Sequence, residues 1–418
     1  MKIALVGAGQ RGMIYAEDAK SMHGIDVVAV AETNEERRNT AGDILSIPKE
    51  YRYRSAEEFL SLEKCADAVV LATMDQDHYK QVMRALDIGY DILLEKPISP
   101  NPQECVRIQQ KANALGRTVI VCHVLRYTAF FSTIKRILDS GEIGKIVTIN
   151  QEENVGNFHF AHSFVRGNWA NSHTSSPIIM QKSCHDMDIL TWLADSSAKK
   201  ISSFGRLSYF HEGSAPEGSA QRCTDCAVKD TCRFNAERAY LPSIGQWPTA
   251  VLSTEQTRES VLDAIRTGPY GRCVYHCDNN VCDHQVTSME FENGVTANFT
   301  LSGMTNLMHR TIHVMCEHGE IRGDDALNTV TVSRFRPDNL SDYEVRTISI
   351  GLQNGFHGGG DHGLMADFVK ILQDRHATDS RSSIDRSVES HIMASAAEES
   401  RLTGRVVDLQ DFRRSLDE

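Results

Sequence analysis

The tightest constraint on this chain lies in its first dozen residues. Lys2 to Val6 is a short apolar run, and Gly7-Ala8-Gly9-Gln10-Arg11-Gly12 follows at once. A G-x-G-x-x-G run between a predicted strand and a predicted helix is the setting in which the motif signals a dinucleotide site. Gly7 would allow the tight turn, Gly9 the close approach of a pyrophosphate, and Gly12 the packing of helix on strand. The helix that follows aims its free N–H groups at the phosphates, so Gln10 and Arg11 are expected beside the cofactor as well. A second apolar strand, Asp26 to Ala31, ends at Glu32. An acidic side chain there accepts from the ribose hydroxyls and repels a 2′-phosphate, which favours NAD over NADP.

Alternating strands and helices continue to about residue 125. Residues 66–73, 91–94 and 118–121 read as buried strands, with helical spacing over 13–21, 78–88 and 102–115. Repeated βα units of this kind imply a doubly wound parallel sheet, here a nucleotide-binding domain over 1–125. Beyond Tyr127 the pattern becomes one helix (132–140) and a series of strands. These are 145–155, 200–210, 286–301 split at Asn293-Gly294, 311–316, 329–334 and 344–350. The expectation is an α+β domain over 126–418 with a large, mostly antiparallel open sheet, closed by helices over 361–374 and 387–402. Residues 212–283 show little periodicity and read as a long insertion.

The formal net charge is −12, which argues against nucleic acid or anionic membrane as the main partner. No apolar run approaches a membrane span. With a strand expected from residue 2, no signal peptide is expected, and a cytoplasmic protein with reduced cysteines is.

The glycine motif, the Thr73-to-His78 segment, Glu95-Lys96-Pro97, Arg126-Tyr127 and His185-Asp186-Met187-Asp188 together resemble the Gfo/Idh/MocA family of oxidoreductases. The resemblance spans nearly the whole chain. It implies a Rossmann domain joined to an open-sheet domain, with the active site between them at the nicotinamide. It also implies a sugar, polyol or related small-molecule substrate, cofactor contacts from Thr73, His78, Glu95 and Lys96, and frequent homo-oligomers. A minority of the family are glycosidases that work by transient oxidation and elimination; a non-catalytic NAD-binding sensor is a third reading.

Lys96 follows a strand end, the edge of an open α/β sheet where ligands bind. Its ammonium suits the oxygen of an alcohol that loses hydride, and the family pattern gives its lysine this role. His185 is the expected partner base. The family usually has Asp four residues before this histidine, whereas Gln181 stands here, and glutamine can hold a hydroxyl but cannot take a proton. Lys182 is read either as a contact for an acidic substrate group or as an i,i+4 partner of Asp186. His162, Arg166 and Trp169 belong to a polar stretch, 157–173, that suits a sugar-sized cleft. His123 and Tyr127 follow a strand at the ligand edge. The glycine-rich run 355–360 leads to Asp361, a good N-cap residue, and His357 and Asp361 are candidates for the cleft.

Six of the eleven cysteines fall within 223–282, which is why a metal is expected in the insertion. Cys223-x-x-Cys226 and Cys232 would supply three thiolates, with Cys273 or Cys277 as the fourth, for a structural zinc. The same thiolates suit an iron–sulfur cluster.

Overall fold

The computed structural model describes residues 1–351, 356–374 and 380–417. Six strands form the first sheet: β1 (Lys2–Val6), β2 (Asp26–Ala31), β3 (Arg52–Tyr53), β4 (Ala68–Leu71), β5 (Asp91–Leu94) and β6 (Val119–Val121). All pair in parallel, in the order β3-β2-β1-β4-β5-β6. The order reverses between β1 and β4, and that switch point opens a crevice at the strands' C-terminal ends. Gly7, Glu32, Thr73, Lys96 and His123 all follow such ends. Strands such as β4 are buried along their whole length, as continuous Ala/Val/Leu runs require in a sheet covered on both faces.

The second sheet contains β7 (Ile146–Asn154), β8 (Ala198–Arg206), β9 (His284–Phe291), β10 (Thr296–Ser302), β11 (His309–Cys316), β12 (Gly319–Asp324), β13 (Thr329–Phe335), β14 (Tyr343–Ser349) and β15 (Val407–Asp408). Their order is β14-β13-β12-β11-β7-β10-β9-β8-β15, antiparallel throughout except for the parallel pair β7/β10. The architecture is the expected one. Strand β12 and the last helix, Leu409–Asp417, lie outside the sequence-based expectation; both are short and charged, with too few apolar positions to show a period.

Alternation along β7 decides what faces the site. Ile149, Gln151 and Glu153 point to the buried face, while Asn150 and Glu152 lie on the more open one. Helices Cys184–Ala194 and Ile384–Thr403 cover the buried face. The chain then returns to the first sheet. Leu364, Met365 and Phe368 of helix Gly360–Gln373 share one core with Ile3, Leu5, Tyr15, Val70 and Ile120, and the Val121 N–H donates to Ser382 O at 2.9 Å.

The insertion carries short helices, Ala236–Tyr240 and Arg258–Thr267, around a small core of Cys223, Ala236, Tyr240, Val261 and Ile265. A capping box between Thr257 and Ser260 starts the second helix.

Candidate active site

Each glycine of the first turn has its own reason. Gly7 has φ +91°, and a Cβ there would lie 2.5 Å from Ala72 O. A Cβ on Gly12 would lie 2.0 Å from Gly7 O, so helix and strand touch at that point. A Cβ on Gly9 would meet nothing within 4 Å, which leaves its outer face open to a ligand. Glu32 braces the turn: its carboxylate accepts from Ala8 N–H at 2.9 Å and from Asn34 N–H at 2.9 Å. A carboxylate has further lone pairs to offer ribose hydroxyls. Gln10 stands exposed at the helix start.

Arg11 turns inward instead of toward solvent. Its Nε reaches Glu95 Oε1 at 2.8 Å, and its guanidinium also bonds the Tyr15 hydroxyl and Asp361. Burial by itself would raise the Glu95 carboxyl, but Arg11 and Lys96 outweigh it and hold the group below the ordinary range. Asp361 is likewise held ionised against burial by hydrogen bonds from His357 and Arg11. Asp361 therefore does not cap its helix; Gly359, with φ +79°, occupies that place. His357 donates to Asp361 Oδ2 at 3.0 Å, and its ring centroid lies 6.4 Å from that of His185. Gly355, which opens the glycine-rich run, lies outside the described residues.

Lys96 stands at the end of β5, and its Nζ donates to Gln181 O at 2.9 Å. His185 sits in the first turn of its helix, 6% exposed, with Nδ1 buried and unpartnered. Burial, then the positive charge of Lys96, pushes the His185 imidazole well below its usual value, so the ring is neutral. Gln181 bonds Ser175 through Nε2, while its Oε1 is buried without a partner, as is Ser183 Oγ. Buried polar atoms left unpaired in this way call for a partner that the protein does not itself supply.

Lys182 pairs with Glu153 Oε1 at 3.1 Å and not with Asp186. Asp186 accepts from Arg310 Nε and Gln151 Nε2, both at 2.7 Å, and Arg310 also pairs with Glu153. These partners come from the buried faces of β7 and β11. Burial lowers the Lys182 ammonium and raises the Asp186 carboxyl, each countered in part by its ion partner.

The remaining candidates divide between braces and mounts. His123 is fully buried, edge-on to His185 with centroids 5.6 Å apart. Arg126 grips Asp188 through two bonds of 2.7 Å. The Tyr127 hydroxyl donates to Asp367 at 2.6 Å, behind the cleft. Thr73 Oγ1 bonds Gln81, and His78 spans Pro97 O and Thr73 O at 2.8 and 3.2 Å. Those two residues hold the loops after β4 and β5 rather than reach outward. His162 bonds Tyr240 and stacks on Tyr270 at 4.7 Å; burial, then Arg166, lowers its ring to about 4. Arg166 donates to Arg272 O and Phe234 O, both at 2.7 Å. Trp169 is 42% exposed beside Phe164. His162 and Arg166 thus seat the insertion, and neither is brought against Lys96. His159 does feel the cleft: burial, then Lys182, keeps its ring neutral.

Cys223, Cys226, Cys232 and Cys273 line one narrow cavity, while Cys277 borders a separate depression. Among the described residues no three His, Cys, Asp or Glu side chains are grouped as a ready ligand set, so the expected zinc site is not supported as a preformed one.

A family model described as "Oxidoreductase family, NAD-binding Rossmann fold" matches residues 1–123, and its companion, "Oxidoreductase family, C-terminal alpha/beta domain", matches 135–409. The chain belongs to the Gfo/Idh/MocA family. It is an NAD-binding oxidoreductase of that family. YteT of Bacillus subtilis, a protein that carries the name of an oxidoreductase, is 22% identical over 76% of this chain and 75% of its own. Inositol 2-dehydrogenase of Corynebacterium glutamicum is 24% identical over 48% of this chain and 56% of its own, so the match spans little more than half of that relative. Two solved structures superpose over nearly the full length. An Agrobacterium radiobacter oxidoreductase in complex with NAD+, L-tartaric acid and magnesium gives a TM-score of 0.70 at 17% identity, covering 98% of this chain and 99% of that one. Scyllo-inositol dehydrogenase of Lactobacillus casei with NAD(H) and scyllo-inositol gives 0.67 at 16%, with the same coverage. Among the described residues of this family member no helix is long and apolar enough to cross a membrane.

Proposed function

We propose that this family member oxidises, or in reverse forms, a secondary alcohol of a polyol, sugar or related hydroxylated compound, with NAD as the partner. The observation that carries the reading is a Lys96 anchored on Gln181 O whose charge helps keep a buried His185 neutral, the imidazole's Nδ1 having no partner. The glycine turn and Glu32 fit NAD, since Gly9 is open on its outer face and the Glu32 carboxylate sits where ribose hydroxyls are recognised. NAD, when bound there, supplies the hydride acceptor.

The chain's own residues do the rest. His185 takes the hydroxyl proton, because a neutral imidazole can accept it and Gln181 cannot. Lys96 hydrogen-bonds the same oxygen and stabilises the charge that grows on it. Gln181 Oε1 and Ser183 Oγ are available to neighbouring substrate hydroxyls. Lys182, Glu153, Arg310 and Asp186 form a braced floor that fixes the helix carrying His185.

The test mixes purified protein and NAD with a panel of polyols, sugars, sugar acids and nitrophenyl glycosides, following NADH absorbance and nitrophenol together. NADH accumulating over many turnovers supports the dehydrogenase. Nitrophenol release with NADH never exceeding the enzyme points to the oxidation–elimination glycosidase. No turnover of either kind across the panel, with NAD bound, points to a sensor.

A further inference from the structure

The insertion holds a feature that hydride transfer does not use. Cys223, Cys226 and Cys232 come from one short segment and Cys273 from another, and the fold brings all four to the walls of one cavity. The meeting is built in. Arg222 and Arg272, the residues just before Cys223 and Cys273, form an isolated antiparallel bridge, and the Cys273 N–H donates to Gln221 O at 2.9 Å. All four cysteines are free thiols. Cys277, the other candidate fourth ligand, turns its Sγ to Cys273 O at 3.1 Å and borders a different depression.

A second, independent observation is the charge beside them. Arg166 is 2% exposed, and its Nη2 reaches Cys223 Sγ at 3.4 Å. Its other donors go to main-chain carbonyls and the neutral Tyr240 hydroxyl, and among the described residues no carboxylate pairs with it. A buried guanidinium without an anion is costly, and neutral thiols do not offset its charge. Four thiolates around a divalent or cluster metal carry net negative charge and do. Lys229 lines the same cavity and adds a second cation. The insertion also has need of a staple: its separate core contains only five buried residues.

We propose that Cys223, Cys226, Cys232 and Cys273 form a tetrathiolate centre for a thiophilic metal, with Arg166 as its buried counter-ion. Each thiol gives up its proton to bulk water as its sulfur binds, and no electron is transferred. Among the described residues the four side chains are not grouped as a ready ligand set, so the proposal requires them to close on the metal as it binds. A closed four-sulfur set leaves no open position, so the centre is structural.

The experiment is a metal analysis of the full-length protein, purified without chelator under inert gas. The expected result is about one zinc per chain, or about four irons with matching sulfide and visible absorbance; the two arms separate a single ion from a cluster. Cys226→Ser and Cys273→Ser should lose at least about tenfold in metal retention, and Cys277→Ser should keep it. Arg166→Gln should weaken affinity by about 10–100-fold, as loss of an outer partner does. NAD binding, read by nucleotide fluorescence, reports whether each variant's first sheet has folded. If the variants do not fold, cobalt is added to the apo wild type, where thiolate charge-transfer absorbance is expected. Wild-type protein that holds no metal, takes up no cobalt and exposes all four thiols to a thiol reagent without a drop in Tm would overturn the proposal. None of these readouts depends on turnover, so the proposal stands or falls apart from the dehydrogenase reading.

Discussion

At the scale of single residues, the proposed chemistry turns on keeping one imidazole neutral and one ammonium in place. Replacing Lys96 by Met, or His185 by Ala, is expected to lower kcat/KM by about 10²–10⁴, with NAD affinity changing little in the His185 variant. Steady-state kinetics beside nucleotide titration checks this, and full activity in both variants would rule out their roles. The pH profile gives a separate test. The folded His185 ring titrates well below 6.5, so the base form persists as pH falls through that value. The acid limb of kcat/KM should therefore lie well under 6.5; an apparent pKa at or above it contradicts a neutral His185. Lys96 and His185 were legible because strand-end position and the neighbouring motif residues mark them locally. Glu153 and Arg310 were not. They alternate with half-buried or exposed residues in strands that read as ordinary, and the Arg310–Asp186 contact joins positions 124 residues apart. A polar residue at a core-facing strand position was the only available signal.

At the scale of elements, the glycine turn separates what folding needs from what binding needs. Gly12→Ala places a methyl 2.0 Å from Gly7 O and should lower Tm together with NAD binding, the cost of such overpacking being about 1–3 kcal/mol. Gly9→Ala meets no protein atom within 4 Å, so its Tm should stay near wild type while NAD affinity falls. Differential scanning fluorimetry with and without NAD distinguishes the two; equal losses in Tm would show that Gly9 is structural as well. The strand–turn–helix was readable because its spacing is local. The stretch 157–173 was read as a substrate loop for its polar composition, yet His162 and Arg166 spend their side chains on the insertion. Composition reports that polar partners are needed, not which side of the chain provides them.

Across the whole molecule, buried histidines couple stability to acid. His123, His185 and His391 are all held below their ordinary value, first by burial, and His391 to about 3. The unfolded chain binds their protons near pH 6.5 and the folded chain does not, so stability is undiminished above 6.5 and falls as pH drops beneath it. Each such ring removes roughly 1.4 kcal/mol per pH unit between its unfolded and folded values. Thermal melts from pH 7.5 down to 4 should show Tm falling steadily, and His391→Gln should flatten the fall; a flat wild-type curve would refute the coupling. A second global prediction follows from helix Gly360–Gln373, which completes the first sheet's core. Truncation after residue 355 should abolish NAD binding by exposing Ile3, Leu5 and Val70, which share a core with Leu364, whereas binding by the truncated chain would mean the nucleotide domain stands alone. The two-sheet plan was legible from periodicity, but this return was not, because an amphipathic helix does not declare which sheet it will cover.

Arg11 and Asp361 join positions 350 apart. That contact ties the helix opened by the glycine turn to helix Gly360–Gln373, laid down long after it in the chain. A folding chain therefore cannot complete the core of the first sheet until helix Gly360–Gln373 has returned to it, so the nucleotide turn and that helix are expected to lock together in one late step.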